Sequence, residues 1–344
     1  MIEKKDDSER LKAKNSFDGS VVFREQDFEK ITGRNAHKEN LIKTDLYFNK
    51  FINPKTQEFY KKYVNKRGCP VCDTEDHNTK LFNKNGASHV KCQECGMVFV
   101  APVLKKSYLM EFYQNNNSWL QVLENQYQWE LDEKKYKYAL NLIKGFVKSS
   151  KRNIIDVGCA YGLFLDVAEQ NGWNVFGVEI NKKAIRELVR KNIHYWDSIE
   201  DVIHSQKTFE VVTMWDLFEH FYHPGKVLEL LAKVLRKGGI LFVNVPNILS
   251  LSSRILQEKS STFDGRCHIN FFSEETITIL LKKHKFRVIE TETIVTELKT
   301  VSNYLNFDDP YSSVKKHSYF SLLTPKRIHQ NKWGSRLLIY AERI

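Results

Sequence analysis

From about residue 150 onward, apolar positions fall into two alternating patterns. Short runs such as Ile154–Val157, Trp173–Ile180, Phe209–Met214 and Ile240–Val245 are almost continuously apolar, as expected of parallel strands buried on both faces. Between them, apolar residues recur every three or four positions over 163–170, 182–192 and 225–235, which predicts amphipathic helices. A short third strand is expected over 193–196, a helix over 274–283, and two final antiparallel strands over 286–294 and 335–341. Strands alternating with helices predict an α/β fold around a mostly parallel sheet of seven strands. Ahead of them, Leu120, Leu123, Tyr127, Leu131, Tyr138, Leu142 and Phe146 form a helical stripe suited to packing on that sheet.

The N-terminal third reads differently. Residues 1–65 form an extension rich in Lys, Glu, Asp and Asn, and the first 20 are expected to be loosely held. Aromatic residues gather between Leu41 and Tyr63, so that stretch should pack on something. Residues 66–104 carry Cys69-Pro-Val-Cys72 and, after 19 residues, Cys92-Gln-Glu-Cys95-Gly96. Two CxxC pairs at this spacing fit a tetrahedral four-thiolate zinc site, in which each pair chelates and no position stays open. Free thiols or a redox pair are the competing readings. Apolar residues flank Asn83–Gly86, which predicts a hairpin between the pairs, and hence a zinc ribbon. His77 and His89 lie nearby, but four cysteines already complete the site.

Net charge is +11, with the basic residues dispersed. That hints at phosphate-bearing partners without demanding nucleic acid. No run of 18 apolar residues suggests a membrane span, and the first residues do not resemble a secretion signal, so a cytoplasmic location is expected.

The densest chemistry lies at Asn153–Gly162. A buried strand containing Asp156 runs into Gly158-Cys-Ala160-Tyr-Gly162 and then a helix start, which is a nucleotide-type binding loop. The dinucleotide and Walker patterns do not fit, because Leu163 stands where a third small residue is needed and no Gly-Lys-Ser/Thr follows. Glu179 ends the second strand, 21 residues after Gly158, where a carboxylate can hold two vicinal ribose hydroxyls.

Asp156-x-Gly158-x-Ala160-x-Gly162 resembles motif I of the class I S-adenosylmethionine (SAM) methyltransferases, with Ala160 in place of the middle glycine. Trp215-Asp216-Leu-Phe-Glu219-His220, followed by His223-Pro224, is similar to the Asp-x-Leu-Glu-His segment of the small-molecule members. Leu235-Arg-Lys-Gly-Gly239 and His268-Ile-Asn-Phe-Phe-Ser273 extend the likeness, which runs over about 120–344.

The resemblance implies a Rossmann-like methyltransferase domain over 105–344, with an insertion at 295–333. It implies SAM as cofactor, held by Asp156, Gly158, Ala160, Gly162, Glu179, Asp197, Trp215 and Asp216. His220 and His268 become candidate catalytic residues, and Glu219 a candidate on the substrate side. For both histidines a purely structural role is an equal alternative, as is a helix cap for Asp197. Ser-rich residues 248–265 are expected to form a mobile flap.

A ribbon preceding this catalytic type also resembles sugar and secondary-metabolite methyltransferases, including those acting on nucleotide-linked sugars or surface-glycan precursors. Two alternatives stay open: an RNA methyltransferase that grips phosphate with its ribbon, and a non-catalytic interaction protein with a retired cofactor fold. Neither Asn-Pro-Pro-Tyr nor Pro-Cys, the marks of base methylation, occurs.

Overall fold

The structure is a computed structural model, and it describes residues 35–311 and 323–344. The loosely held start expected for the first 20 residues lies outside these, as does the middle of the 295–333 insertion and the side chain of Tyr127. Among the described residues no helix is long and apolar enough to cross a membrane.

Helix α1 (Asn35–Asn49) comes first. The hairpin follows as β1 (Asn78–Lys84) and β2 (Ala87–Cys92), then β3 (Val98–Val100). Three helices lead out of it: α2 (Lys106–Asn115), α3 (Ser118–Leu123) and α4 (Gln126–Phe146). The apolar stripe read as one helix is therefore two, broken at Glu124–Asn125.

The α/β region alternates as expected, through β4 (Asn153–Val157), α5 (Leu163–Gln170), β5 (Asn174–Val178), α6 (Lys182–Arg190), β6 (His194–Trp196), α7 (Ile199–His204), β7 (Phe209–Trp215), α8 (Pro224–Val234) and β8 (Leu235–Pro246). The remaining elements are α9 (Leu251–Leu256), β9 (Asn270–Phe271), α10 (Glu274–Lys283), β10 (Phe286–Ile294), α11 (Leu298–Leu305), α12 (Pro325–Gln330) and β11 (Arg336–Arg343).

The main sheet has seven strands in the order β6-β5-β4-β7-β8-β11-β10. The first five pair in parallel, and β11 joins antiparallel to both β8 and β10. Order reverses between β4 and β7, and at such a switch point the loops leaving the two strands part to form a ligand crevice. Alternate residues serve opposite cores. Ile154, Val211, Ile240 and Phe242 face α4 and α5 through Tyr136, Leu140, Ile143 and Phe164. Ile155, Val212, Leu241 and Val243 face α8 and α10 through Leu228, Leu231, Ile277 and Leu280.

The ribbon packs into this second core: Cys69, Val71, Cys92, Met97 and Phe99 belong to it. Its sheet has the order β9-β3-β2-β1, so strand Asn270–Phe271 from beyond the parallel sheet completes it, with Asn270 opposite Phe99 and Phe271 opposite Val98. The aromatic stretch before the ribbon finds its partner on the other ribbon face. Phe48, Phe51 and Phe59 are buried there with Val98, Val100, Leu104, Phe112, Phe263 and Phe271.

Segment 248–265 departs from the flap expectation. It holds α9 and a 3-10 turn, and Ser250, Ser252, Ser253 and Ser260 are all buried. Ser250 caps α9 and meets Ser252, and Ser253 bonds Thr262, so polar composition here marks satisfied local hydrogen bonds and not exposure.

The β1–β2 turn has two residues, Asn85 and Gly86, both with positive φ (50° and 82°), the two-residue hairpin geometry that needs such backbones. A Cβ on Gly86 would lie 2.7 Å from Ile52 Cγ1 and 2.8 Å from Phe59 Cε1. Gly86→Ala is expected to destabilise the protein by about 1–3 kcal/mol. Urea unfolding checks this; an unchanged midpoint would contradict the packing described.

Candidate active site and metal centre

Motif I forms the expected corner. Gly158 and Gly162 take φ of 75° and 72°, and Ala160 tolerates 47°. Gly158 N–H donates to Val178 O at 2.8 Å, and the loop turns directly into α5. A Cβ at Gly158 would sit 2.9 Å from Leu217 Cδ2, so this glycine lets the loop after β7 close against the motif. At the tip of β5, Glu179 is buried and accepts from three backbone amides: Ala160 N at 2.8 Å, and Ile180 N and Asn181 N at 2.7 Å. Burial raises its carboxyl pKa while the three amides oppose that rise. The carboxylate thus clamps the glycine loop to the second strand.

Asp156 lies beneath the loop, 2% exposed, and accepts from Thr213 Oγ1 at 2.7 Å. Burial, with Glu179 nearby, pushes its carboxyl up to about 8. Asn181 caps α6 as expected, accepting from Lys183 N and Ala184 N. The cap of α7 is Ser198, which removes the capping alternative for Asp197; that carboxylate is exposed beside the end of β6.

Trp215 and Asp216 part company. Trp215 is buried against Tyr136, Phe164 and Phe242, with ring centroids 4.4–5.3 Å away, so its mass belongs to the aromatic core under α4 and α5. Asp216, at φ 47°, sits at the strand end among cations. Lys135 Nζ lies 3.6 Å and Arg336 Nε 3.5 Å from its oxygens, and the Asn244 amide, with nitrogen toward it, donates at 3.0 and 3.1 Å. Burial pulls this carboxyl upward, but Arg336 and Lys135 outweigh it and hold it below the usual range. Lys135 also pairs with Asp132 at 2.9 Å.

The next turn of chain, Phe218–His220, brings the two candidate histidines together. Their ring centroids are 4.9 Å apart, and each Nε2 lies 3.9 Å from Glu219 Oε1. Both outer nitrogens face carbonyl oxygens: His220 Nδ1 is 3.0 Å from Cys267 O, and His268 Nδ1 is 3.4 Å from Thr262 O. Tyr113 Oη lies 3.1 Å from His220 Nδ1 and donates to Cys267 O at 3.2 Å. Carbonyls accept only, so Nδ1 carries the hydrogen in both rings and both Nε2 lone pairs turn inward. Burial drives His220 down to about 3 and lowers His268, keeping both neutral. Glu219, 1% exposed, has no hydrogen-bond partner among the described residues for either carboxyl oxygen, and burial lifts it to about 8.

Tyr113, Lys135 and Arg336 escape a reading of the sequence. Lys135 alone leaves a trace, as a cation three residues after Asp132 on a helix whose stripe packs on the sheet.

The four ribbon cysteines converge. Cys69 Sγ–Cys95 Sγ and Cys72 Sγ–Cys92 Sγ are each 3.5 Å apart, and all four sulfurs lie within 4.8 Å of one another. Sulfurs around one zinc at about 2.3 Å would stand about 3.8 Å apart, so the set fits a closed tetrahedral ion. Gly96, at φ 75°, turns the second knuckle.

Residues 128–291 match a family described as a methyltransferase domain. Relatives include the ubiquinone biosynthesis O-methyltransferases of Paracidovorax citrulli (27% identical over 117 residues, 31% of this chain and 49% of that protein) and Nitrosomonas europaea (26% over 129 residues, 34% and 52%). The chain thus spans about half the length of the curated relatives it matches. A solved SAM-dependent methyltransferase from Archaeoglobus fulgidus is 20% identical and aligns with 66% of this chain and all of its own, at a TM-score of 0.46. Residues 128–291 thus resemble a methyltransferase domain over just under half of the chain, and the strand order is that of a Rossmann-like, mostly parallel α/β fold.

A carboxyl whose folded pKa is raised favours folding below its unfolded pKa, and that contribution is lost as pH rises through the folded value. For Asp156 the window runs from about 4 to about 8. Asp156→Asn keeps the acceptor for Thr213 without the ionisation. The melting temperature of the wild type should fall relative to Asp156→Asn as pH rises across that window, and parallel curves would show that burial does not suppress this charge.

Proposed function

We propose that this chain is a SAM-dependent methyltransferase acting on a small molecule, with the ribbon as a structural zinc module. The observation that carries the reading is the clamp of Glu179 on the motif I loop, at the switch point of a seven-stranded sheet whose sequence matches a methyltransferase domain.

The cofactor brings an activated methyl group on a sulfonium, and the protein's work is alignment. Gly158, Ala160 and Gly162 supply a side-chain-poor wall. Glu179 Oε1 takes the amides of Ile180 and Asn181 and Oε2 takes only that of Ala160, so Oε2 keeps an acceptor position for a ribose hydroxyl. In this reading Asp197, exposed at the next strand end, serves the adenine side. In this reading Asp216, fixed between Lys135 and Arg336, serves the amino-acid end of the cofactor.

The acceptor enters from the side of His220 and His268, whose inward Nε2 lone pairs meet a hydroxyl or a carbon acid beside a carbonyl. The named activity of the matched relatives, O-methylation in ubiquinone biosynthesis, supports a small acceptor with a hydroxyl. The net charge of +11 favours one carrying phosphate, such as a nucleotide-linked sugar or a precursor of a surface glycan or secondary metabolite.

S-Adenosylhomocysteine at about 100 times its Kd should stabilise the protein by about 2.7 kcal/mol, a rise of several degrees in melting temperature. Gly158→Arg fills the wall and should abolish the rise while the folded far-UV spectrum persists. No shift with wild-type protein would remove the enzyme reading. Cys69→Ser should lose one zinc equivalent by elemental analysis or become insoluble; full zinc content in folded variant would remove the ribbon assignment.

A further inference from the structure

We infer that Glu219, His220 and His268 form a second metal site, distinct from the four cysteines, which takes a divalent transition ion of the zinc class. Three ligand atoms of these residues lie within 4.8 Å of one another. Two are imidazole nitrogens whose lone pairs point inward because their opposite nitrogens are tied to Cys267 O and Thr262 O. That outer bond is the support which orients a metal-binding histidine and raises its basicity.

The third ligand is the strongest indication. A buried carboxylate with neither oxygen hydrogen-bonded is costly, and it is uncommon in a folded protein unless something else meets it. Among the described residues nothing does so: Arg336 and Lys135 are engaged with Asp216, and both histidines present lone pairs and not hydrogens. Once Glu219 gives up its proton, three electron-pair donors face one point, and a cation is the group that meets all three.

The Nε2–Oε1 separations of 3.9 Å are slightly wider than the roughly 3.4 Å between ligands of one tetrahedral ion bound at about 2.1 Å. Small side-chain rotations close that difference. Two imidazoles and one carboxylate suit zinc, iron(II) or cobalt(II) and disfavour magnesium or calcium, which take oxygen. Three protein ligands leave open positions, as catalytic sites do and the closed cysteine site does not. An acceptor oxygen is the group that would fill one of them, a point that rests on the methyl-transfer reading above. With the ion in place the histidines meet that oxygen through the metal. The metal site itself rests on geometry alone.

The test uses the full chain, loaded with zinc and desalted, and counts metal by elemental analysis. Wild-type protein should hold two equivalents, while His268→Ala and Glu219→Gln should each hold one, that of the ribbon. Cobalt titrated into the zinc-ribbon protein should give a weak visible d–d band without sulfur charge-transfer absorption. Its affinity should fall by about 100-fold or more in either variant, at or beyond the upper end of what loss of a supporting partner alone costs.

A single equivalent in wild type, or unchanged cobalt binding in both variants, would overturn the site. The S-adenosylhomocysteine shift, measured on the same samples, reports separately on folding and on the cofactor cleft. A retained shift without the second metal defeats only this inference, and a second metal without the shift defeats only the methyltransferase reading.

Discussion

Asn270 is the fastening on which the arrangement depends. It is 1% exposed, and every polar atom of its amide is used. Its nitrogen donates to Glu219 O at 3.2 Å and Phe221 O at 2.8 Å, and its oxygen accepts from Arg67, just ahead of the first cysteine knuckle, at 2.6 Å. Its backbone meanwhile pairs with Phe99 in the ribbon sheet. One buried side chain therefore joins the ribbon, the turn bearing Glu219 and His220, and the strand that follows His268. A buried amide has to satisfy all its donors and acceptors, so it dictates where each of these three segments lies.

A second fastening reinforces the first from the hairpin tip. Lys84 Nζ donates to Ser260 O at 2.7 Å, and Asn85 Nδ2 donates to Asp264 O at 3.1 Å. Asp264 in turn accepts from Cys267 N at 2.9 Å and pairs with Arg266, which also reaches Asp45. The carbonyls of Thr262 and Cys267 that orient the two histidines thus hang on a loop pinned at both ends by the ribbon. Buried charge is compensated within this loop: Asp264 is held below the usual carboxylate range, because Arg266 outweighs the upward pull of burial.

Much of this was legible in the sequence, for reasons that are local. Period-two and continuous apolar runs reveal the strands, Gly158 and Gly162 mark backbones with positive φ, and CxxC spacing encodes a chelate. What was hidden depends on contacts between distant positions. Trp215 follows a strand toward the ligand crevice, yet the alternation of that strand sends its ring into the core with Phe164 and Phe242. The 248–265 segment is polar because its serines serve one another, which composition cannot distinguish from solvation. Arg336 reaches Asp216 across 120 residues and Tyr113 reaches His220 across 107, so neither leaves a spacing to read. That Glu219 lacks a partner is visible only once all its neighbours are in place.

The strand Asn270–Phe271 also bears on how such a protein can be divided or inherited. Its two residues close a sheet begun almost two hundred positions earlier, so the boundary between ribbon and α/β body is drawn through hydrogen-bonded backbone and not through a tether. Exchange of the ribbon for another of similar outline would leave a raw edge beside the histidines unless the matching two-residue stitch travelled with it. Lineages that carry the pair should therefore shuffle them as a unit, with the stitch and its knuckles changing in concert.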